Sequence, residues 1–437
     1  MIHRTVREWD YIAIEPPSGE PAGLSRSVAD RLLKVARNIT IGGEDGERIL
    51  VNGVSRLRAQ QVVGILATEG ATLEILPKID GATGDDAAAR RSLVHMLAVV
   101  LDLEIANGAN TDLSWQKHDL LEILVRLFCD KLFAVLHRGM PRRYVSQQDD
   151  LSTLRGRLDV IRQFTVLGAA PQKLACQFEN LSADIALNQI MKAAVGRLAT
   201  ISRSQQNRRK LMELAFAFDE VSAVAVKELP WDRVVIDRTN SGWLELFRFA
   251  RLLLGDRFQT TTSGNIRGFS LLFEMNTLFE EFIARMLKKA LSGTAFQVIL
   301  QGPQSYALID HTTGIRRFAT RPDIVISKNG APLLVIDTKW KRLKGEIDDA
   351  KRGVGQADVY QMMAYAHVYN SNLLMLLYPH HDELSAGEGF LAMHRIADKQ
   401  DSRLAIATIA LSDPKSAGLR LRKLLLGNAE VFNLAIQ

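Results

Sequence analysis

Two short apolar runs in the C-terminal half of the chain are separated by a turn-rich joint. The runs are Ile324–Ile326 and Leu333–Ile336, and the joint is Lys328–Pro332. Short apolar runs bounded by Asn, Gly and Pro are typical of two strands joined as a hairpin. Pairing of these strands places Asp323, at the start of the first, near Asp337, at the end of the second. The pattern therefore predicts a hairpin with two carboxylates at one end.

Around this hairpin, apolar residues recur at intervals that predict further helices and strands. Helical spacing predicts helices over Met275–Leu291, Asp358–Tyr369 and Ser416–Leu426. Apolar runs predict strands over Phe296–Leu300, Leu373–Tyr378, Gly389–Ile396 and Arg403–Leu411. Strands interleaved with helices predict a mixed sheet flanked by helices on both faces, which is an α/β arrangement.

The first 260 residues show a β-rich segment followed by helices. Strands are predicted within residues 4–14, 49–51, 62–66 and 72–76, and helices over 25–38, 87–103, 118–137, 180–201 and 243–254. Turn-forming residues at Gly81–Asp86 indicate a joint, and Thr260–Gly264 is typical of a linker or flexible loop. We therefore predict a small β-rich N-terminal interaction domain (1–85), a mainly helical region (86–260) and a C-terminal α/β domain (261–437).

The composition is that of a globular protein with a basic balance. Hydrophobic residues make up 47% and charged residues 24% of the 437 residues, enough for two or three domains with large cores. The net charge of +6 fits a protein that meets a polyanion. We see no signal-peptide pattern or apolar run of transmembrane length, and we expect a cytoplasmic protein with no membrane partner. Cys129 and Cys176 lack metal-ligand spacing, which indicates buried thiols.

The end of the predicted hairpin carries candidate chemistry. Asp337 and Lys339 are two positions apart in a strand, so their side chains point to the same side. Carboxylates such as those of Asp323 and Asp337 are preferred ligands of Mg²⁺, and a nearby lysine can orient or deprotonate an attacking water. The cluster indicates phosphodiester hydrolysis. The alternative is a surface hairpin on which Lys339 and Asp337 form a solvated ion pair of little energetic weight.

The spacing of these residues resembles the PD-(D/E)XK nuclease motif, with Pro322-Asp323 followed by Asp337-Thr338-Lys339. The resemblance implies that Asp323 and Asp337 bind one or two Mg²⁺ ions and that Lys339 assists the attacking water. Gln361 and Tyr365, four apart on one face of a predicted helix, are similar to the QxxxY element of RecB-type members. They would support the site by bridging the lysine region and a DNA strand. The alternative is a core-edge tyrosine beside a surface glutamine.

Phe273–Glu280, with the sequence FEMNTLFE, resembles the FxMNxLFE helix start of the McrC family, the nuclease subunit of GTP-dependent modified-DNA restriction systems. The resemblance extends over about residues 265–380 and more loosely to Leu73–Lys78 and Leu154–Leu158. It implies a restriction-endonuclease-like fold for the C-terminal domain. It also implies that Glu280 is a third catalytic, metal-binding carboxylate, with Glu281 the less favoured neighbour. A solvent-exposed glutamate on the rim of a helix is the alternative for Glu280.

The sequence contains neither a G-x-x-x-x-G-K-[ST] nor a G-x-G-x-x-G motif, so we expect this chain to bind no nucleotide itself. The McrC resemblance then implies two partners, DNA and an AAA+ GTPase of McrB type. Basic residues that would fit contact with DNA or with that partner are Arg142, Arg143, Arg155 and Arg157. The alternative for the residues around Arg142 is a solvated helical face.

Two other functions stay open from the sequence alone. One is a catalytically idle DNA-binding adaptor that stimulates a partner motor, and the other is a stand-alone DNA repair nuclease. The intact Asp323, Asp337 and Lys339 favour an active nuclease over the adaptor. His311, His380 and His381 fall in predicted loops without a third metal ligand at useful spacing, which indicates surface residues.

Overall fold

The computed structural model describes residues 2–15, 23–39, 49–79, 85–103, 118–170, 172–255, 258–263, 266–343, 353–384, 386–397 and 401–427. The chain divides into two compact units, one formed by Met1–Leu120 with Arg257–Gln437 and the other by Leu121–Asp256. Among the helices within the described ranges, none has the length and apolar character that a membrane span requires.

The first compact unit begins with a β-rich part. Its elements are β1 (Ile2–Arg7), β2 (Tyr11–Ala13), α1 (Arg26–Arg37), β3 (Leu50–Asn52), β4 (Arg56–Ala59), β5 (Val62–Thr68), β6 (Ala71–Leu76) and α2 (Asp86–Leu101). Every residue of β5 and β6 is buried, as expected for strands covered on both faces. One face of α1 brings Val28, Leu32 and Val35 into the same core as Leu66 and Leu73.

The second compact unit combines helices with a small sheet. Its elements are α3 (Leu120–Leu136), β7 (Arg143–Leu151), β8 (Arg157–Leu158), α4 (Val160–Thr165), β9 (Leu174–Ser182), α5 (Ala186–Ile201), α6 (Gln205–Ala217), three short 3₁₀ helices (Val226–Glu228, Trp231–Arg233, Ser241–Trp243) and α7 (Leu244–Leu254). The strands pair antiparallel in the order β7-β9-β8. The helices predicted over 118–137 and 243–254 are confirmed, and the one predicted over 180–201 is confirmed from Ala186, because residues 180–182 lie in β9. The sheet was not predicted, and Arg143-Tyr144 begins a strand instead of lying on a helical face.

The rest of the first compact unit follows residue 257. Its elements are β10 (Phe258–Ser263), β11 (Ile266–Glu274), α8 (Met275–Ala290), β12 (Phe296–Leu300), β13 (Ser305–Ile309), β14 (Arg316–Thr320), β15 (Ile324–Lys328), β16 (Ala331–Thr338), α9 (Gln356–Val368), β17 (Leu373–Pro379), β18 (Gly389–Arg395), β19 (Arg403–Ile409), a 3₁₀ helix (Pro414–Ser416) and α10 (Ala417–Leu426). The predicted elements of this region are confirmed, and the paired strands β13 and β14 are an addition.

One sheet of the first unit combines N-terminal strands with two strands from the middle of the chain. Its strand order is β1-β6-β5-β11-β10, and β11 runs antiparallel to β5 with Glu274 opposite Val62. The predicted linker is wrong at Thr260–Ser263, because these residues lie in β10 and pair with β11. Strands β2, β4 and β3 form a separate small sheet. The division at residues 85 and 260 stays a prediction, and residues 81–84 of the predicted joint lie outside the described residues.

The second large sheet of this unit contains the predicted hairpin. Its order is β12-β15-β16-β17-β19-β18; β16, β17 and β19 run parallel and the other pairs antiparallel. Residues 324–327 of β15 are all buried, so both faces of the sheet are covered. Helix α9 packs Met362 and Tyr365 into one core with Val335 and Leu374. The predicted mixed α/β arrangement is therefore confirmed.

The outcomes for the cysteines and histidines differ. Cys129 and Cys176 are buried free thiols, as predicted. The surface assignment is right for His311 and wrong for His381, which is buried with Nε2 2.7 Å from the Leu343 carbonyl oxygen. The buried position of His381 results from a tertiary contact that local sequence does not show.

The buried carboxylate of Glu122 organises the second unit. It accepts hydrogen bonds from the Ser202 hydroxyl (2.8 Å), the Ser204 backbone N–H (3.2 Å) and the Asn207 side chain (2.7 Å), which surround the start of α6. Replacement Glu122→Ala removes the acceptor of the buried Ser202 hydroxyl and one of the two acceptors of the Asn207 side-chain amide. We expect it to lower the free energy of unfolding by about 2–4 kcal/mol. Thermal unfolding followed by circular dichroism measures this.

The matched control is Glu220→Ala, because Glu220 is exposed and forms only a 3.5 Å ion pair with the exposed Arg142. We expect a change within about 0.5 kcal/mol for this control. Equal midpoints for Glu122→Ala and wild type would show that Glu122 does not hold the unit together.

Candidate active site

The two aspartates meet at one end of the β15–β16 pair. Ile324 lies opposite Ile336, so Asp323 comes just before one strand and Asp337 sits near the end of the other. Asp323 Oδ2 accepts hydrogen bonds from the backbone N–H (2.7 Å) and the hydroxyl (2.8 Å) of Thr338. Asp337 is only 1% exposed. The register thus fixes both carboxyl groups at a protected strand end.

Lys339 continues the line of β16 beside Asp337. Its backbone N–H donates to the Leu377 carbonyl (2.9 Å), which holds this residue against β17. Its Nζ lies 2.7 Å from Asp337 Oδ2, so the two side chains share one side of the strand as expected from their spacing. The same Nζ donates to Gln361 Oε1 at 3.1 Å. Lys339 is therefore held between an acid on the sheet and an amide on α9.

Gln361 and Tyr365 connect Lys339 to the segment before Asp323. The Gln361 amide donates to the Tyr365 hydroxyl at 2.8 Å, across one turn of α9. The Tyr365 hydroxyl donates in turn to the Arg321 carbonyl at 3.1 Å. Burial raises the pKa of this hydroxyl, so it stays a donor at neutral pH. A chain of hydrogen bonds thus runs from the lysine to the backbone that carries Asp323.

Glu280 lies half-buried on α8 and within the electrostatic influence of both aspartates. Burial and then the charge of Asp323 raise its pKa to about 7, although the Gln301 side chain bonds to its carboxylate. Burial and then Asp323 likewise raise the pKa of Asp337 to about 6, and burial raises that of Asp323. In all three groups burial is the main cause, and for Asp337 and Glu280 the neighbouring Asp323 adds to it, so ionised carboxylates are disfavoured at this site.

The pKa of Lys339 is raised as well, which for a lysine favours the charged form. Burial lowers its pKa, but the neighbouring Asp337 outweighs burial and the net pKa is raised. The side chain therefore stays an ammonium group at neutral pH. Its positive charge partly offsets the acids around it.

The donor chemistry of the site fits a hard divalent cation such as Mg²⁺, which prefers carboxylate oxygens. Asp337 Oδ1 is buried without a hydrogen-bond partner among the described residues, and Oδ2 contacts only the ammonium of Lys339. No group of three His, Cys, Asp or Glu side chains within the described ranges is arranged ready to hold a metal ion. The two Thr338 hydrogen bonds engage Oδ2 of Asp323, and Oδ1 takes no part in them.

Residue Trp340, directly after Lys339, is held by residues that the sequence did not indicate. Its indole N–H donates to Glu8 Oε1 at 2.7 Å, and its carbonyl accepts from the Gln61 amide at 2.9 Å. Gln61 also donates to Asn276 Oδ1 (2.9 Å), within the FEMN segment that begins α8. Glu8 accepts from the Lys78 backbone N–H as well (2.9 Å). Three widely separated parts of the chain therefore fix the residue beside the lysine.

Only part of this support left a sequence signal. Asn276 and Lys78 lie in the FEMNTLFE and LEILPK segments that carry the family resemblance, but Glu8 and Gln61 belong to no motif. Their partners lie 332 and 279 positions away along the chain. Local periodicity carries no information about contacts at such separations.

The four candidate arginines lie in the second compact unit, where each has an internal contact. Arg142 forms an ion pair with Glu220, and Arg143 donates to the Val235 carbonyl at 3.0 Å. The guanidinium of Arg155 stacks 4.1 Å from the centre of the Phe178 ring, and Arg157 donates to Gln177 Oε1 at 2.9 Å. Arg155 and Arg157 are exposed.

Gly156 explains the tight turn between these two arginines. Its φ is +70°, and a Cβ there would lie 2.4 Å from the Gln177 carbonyl oxygen. Only glycine fits this close approach of two backbones. The turn therefore presents Arg155 and Arg157 from a fixed position on the β7-β9-β8 sheet.

Fold and site together define a mixed α/β protein with a buried acidic cluster and one lysine at the end of a central hairpin. The family model for the McrBC 5-methylcytosine restriction system component matches residues 57–379. The chain belongs to this family, and the resemblance seen in the sequence is confirmed.

Solved structures agree with this assignment at the level of the fold. The chain resembles one from a structure described as a refined half-complex from the tetradecameric assembly of Thermococcus gammatolerans McrB AAA+ hexamers with bound McrC. The TM-score is 0.73 at 21% identity, covering 98% of this chain and 99% of that chain. A chain in the cryo-EM structure of the Thermococcus gammatolerans McrBC complex gives a TM-score of 0.54 at 24% identity over 66% and 88%. No curated protein sequence matches.

Glu8 makes folding stability depend on pH. It is 1% exposed, and burial raises its pKa to about 7 despite the hydrogen bonds from Lys78 and Trp340. Because the folded state holds this proton more tightly than the unfolded state, its contribution is full below about pH 4.5 and is lost as pH rises through 7. We expect Glu8→Gln, which stays neutral, to be more stable than wild type at pH 8 by roughly 2–3 kcal/mol.

Thermal unfolding at pH 5 and pH 8 measures the difference between the two proteins. The control is Glu69→Gln, an exposed residue, which should lose as much stability between pH 5 and pH 8 as wild type does. If Glu8→Gln and wild type lose stability in parallel between pH 5 and pH 8, Glu8 does not titrate in this range.

Proposed function

We propose that this chain is the DNA-cleaving subunit of a McrBC-like, GTP-dependent restriction system. In this proposal residues 261–437 carry a restriction-endonuclease-like PD-(D/E)XK domain that hydrolyses phosphodiester bonds with Mg²⁺. The observation that supports it most is the meeting of Asp323, Asp337 and Lys339 at one strand end, with Asp337 Oδ1 buried and lacking a hydrogen-bond partner among the described residues. The family membership supports the same reading.

We assign the residue roles from the motif resemblance, and the acidic surroundings support them. Asp323, Asp337 and Glu280 would hold one or two Mg²⁺ ions, since a nearby positive charge would stabilise all three ionised carboxyl groups. Mg²⁺ bound there would lower the pKa of coordinated water and offset charge on the phosphate.

Lys339 acts as a cation in this proposal. A general base needs a pKa near the working pH, whereas the pKa of Lys339 is raised above its ordinary value. The ammonium group therefore orients the attacking water by donating to its oxygen, or stabilises the charge that develops on the phosphate. The hydrogen bonds of Gln361 to Lys339 and of Tyr365 to the Arg321 carbonyl hold the lysine at a fixed position relative to the backbone before Asp323.

The partners in this proposal are DNA and an AAA+ GTPase of McrB type. The related structures contain McrB AAA+ hexamers with bound McrC, and this sequence has no phosphate-binding loop of its own. We assign the partner contact to the second compact unit, with Arg155 and Arg157 on their fixed turn as its centre. Arg142 and Arg143 are the neighbouring candidates for contact with DNA or the partner. A cytoplasmic location follows from this role.

A catalytically idle adaptor is the second candidate. It is supported by the internal contacts of both aspartates, since Asp323 bonds to Thr338 and Asp337 pairs with Lys339. An adaptor would stimulate the partner motor and bind DNA without cleaving it. Cleavage and GTP hydrolysis measured in one reaction separate the two functions.

The lysine gives the first test of cleavage. We expect Lys339→Ala to lower plasmid cleavage at least about 100-fold, because a positioned charge at the reacting phosphate is lost. The reaction contains Mg²⁺, GTP, the GTPase encoded beside this protein, and methylated or unmethylated plasmid. Stimulation of GTP hydrolysis should be unchanged, since Lys339 lies in the acidic cluster and not in the second unit.

Lys423→Ala is the matched control, because Lys423 is exposed on α10 in the same compact unit. The variant Arg155→Ala/Arg157→Ala probes the other half of the proposal and should lower the GTPase stimulation. Equal cleavage by Lys339→Ala and wild type would exclude Lys339 from the chemistry. Normal GTPase stimulation by a wild-type protein that never cleaves would favour the adaptor.

Asp337 gives an independent test that separates metal binding from folding. We expect Asp337→Asn to abolish Mg²⁺-dependent cleavage while leaving the metal-free protein as stable as wild type or slightly more stable. The reason is that burial and the charge of Asp323 already disfavour the ionised carboxylate. Thermal unfolding with and without Mg²⁺ should show a metal-induced rise in wild type only.

The control is Asp382→Asn, an exposed aspartate in the same compact unit. It should cleave and respond to Mg²⁺ as wild type does. A large drop in the unfolding midpoint of Asp337→Asn without metal would instead make Asp337 a structural residue.

A further inference from the structure

Strands β13 and β14 form a two-stranded ribbon, residues 305–320, that belongs to neither large sheet. Ser305 pairs with Thr320 at its base and Ile309 pairs with Arg316 near its tip. The ribbon follows β12 and ends three residues before Asp323. It therefore leads directly into the acidic cluster.

The ribbon exposes apolar side chains along both strands. Residues 306–309 and 316–319 are all exposed, including Ile309 at 67% and Phe318 at 70%. An isolated two-stranded ribbon in water is only marginally stable, and clustered exposed apolar residues mark interaction sites. This arrangement points to a partner that covers the ribbon.

The charges on the ribbon indicate what kind of partner it fits. Arg316 and Arg317 are exposed next to Phe318. Asp310, the acidic residue of this segment, accepts from the Thr312 and Thr313 backbone N–H groups and is occupied within the turn. Arginines beside an aromatic ring suit a nucleic acid, since the arginines pair with phosphates and the ring packs against bases.

Phe318 has an unusual backbone conformation. Its φ is +56°, which is unfavourable for a bulky side chain. The two strands pair on either side of it, Tyr306 with Ala319 and Leu308 with Arg317. Unfavourable backbone conformations persist only where the surrounding structure holds them, and they cluster at functional sites.

Hydroxyl groups on and after α9 fix the base of the ribbon. The Tyr369 hydroxyl lies 2.9 Å from the Pro303 carbonyl oxygen and 2.7 Å from that of Thr320, one on each side of the base. The Tyr365 hydroxyl holds the next residue, Arg321, and also bonds to Gln361 beside Lys339. The ribbon is thus positioned relative to the same helix that positions the lysine.

We propose that the ribbon contacts duplex DNA next to the bond that is cut, with Phe318 packed against a base step and Arg316 and Arg317 paired with nearby phosphates. This rests on the proposed nuclease function. A two-stranded ribbon fits the major groove, and apolar side chains can act as wedges between base pairs. The ribbon would set the distance between Phe318, which acts as the wedge, and the acidic cluster.

Binding of a fluorescein-labelled duplex tests the proposal. Fluorescence anisotropy is measured with the full-length protein in complex with its GTPase and a non-hydrolysable GTP analogue, in a Lys339→Ala background that prevents cutting. We expect Phe318→Ala to weaken binding about tenfold. Arg316→Ala/Arg317→Ala should weaken it similarly and lower the salt dependence by about two phosphate contacts.

Two matched controls remove two exposed positive charges or one exposed aromatic ring at positions outside the ribbon. Lys288→Ala/Lys289→Ala removes two exposed charges from the end of α8, and Phe216→Ala removes an exposed ring, 83% exposed, on α6. Both should bind as the Lys339→Ala parent does. With 2-aminopurine placed near the cleavage position of the duplex, both controls should keep the rise in fluorescence on binding, and Phe318→Ala should lose it.

Phe318→Gly separates a structural role from a role in binding. Glycine adopts a positive φ without strain, so this variant should be at least as stable as its parent in thermal unfolding, yet bind DNA about tenfold more weakly. Unchanged DNA affinity in all ribbon variants would overturn the proposal. If the ribbon variants keep the DNA affinity of their parent but sediment as a smaller species, the ribbon forms a contact between two copies of this chain instead.

The nuclease proposal fails by a different result. If Lys339→Ala in the otherwise wild-type complex still cleaves, the acidic cluster is not the catalytic site, whatever the ribbon binds. If Lys339→Ala stops cleavage and the ribbon variants retain DNA affinity, only the ribbon proposal is wrong.

Discussion

The register between β15 and β16 is the constraint on which the site depends. Ile324 faces Ile336, and this pairing sets Asp323 against Thr338 at the same strand end as Asp337. A slip of one residue would turn Asp337 and Lys339 together to the opposite face of the sheet, away from Gln361 on α9. The apolar residues of both strands resist that slip because they are buried on both faces. The core therefore specifies the positions of the charged groups.

The same burial places the site in an unfavourable electrostatic state. The pKa of Asp337 is raised to about 6 and that of Glu280 to about 7 in one protected region. The ammonium group of Lys339 offsets the negative charge of these acids in part. A folded chain tolerates such a cluster only when the surrounding structure is strong enough to hold it. Here the hydrogen bonds of Gln361 and Tyr365, and those around Trp340, provide that support.

Sequence reasoning was successful where apolar runs and turn residues coincide. The β15–β16 hairpin and helices α8 and α9 follow from short runs, helical spacing and the Asn-Gly joint. The motif resemblance pointed to Gln361, Tyr365 and Glu280, which lie near Lys339 and the two aspartates, and their roles stay predictions. The ribbon was missed because its residues are exposed on both faces and show no alternation. Strand β10 was read as a linker because FQTTTS is polar, although threonine favours strands.

Other features could not be predicted because their cause is tertiary. Glu8 is a buried carboxylate only because Trp340 and Lys78 surround it, and no local pattern distinguishes it from a surface glutamate. His381 is buried by a contact with the Leu343 carbonyl. The β7-β9-β8 sheet was hidden because its strands carry many polar, exposed residues.

The pairing of N-terminal strands with strands from the middle of the chain has a consequence for synthesis. Strands β5 and β6 emerge early, yet β11 pairs with β5 only after residue 274 has been made, and Trp340 meets Glu8 only after residue 340. The second unit is continuous in the chain, and all of it is made between these N-terminal strands and β11. A polypeptide released before residue 323 lacks the tryptophan contact and both aspartates. The acidic cluster therefore cannot form before the chain has been made as far as Lys339.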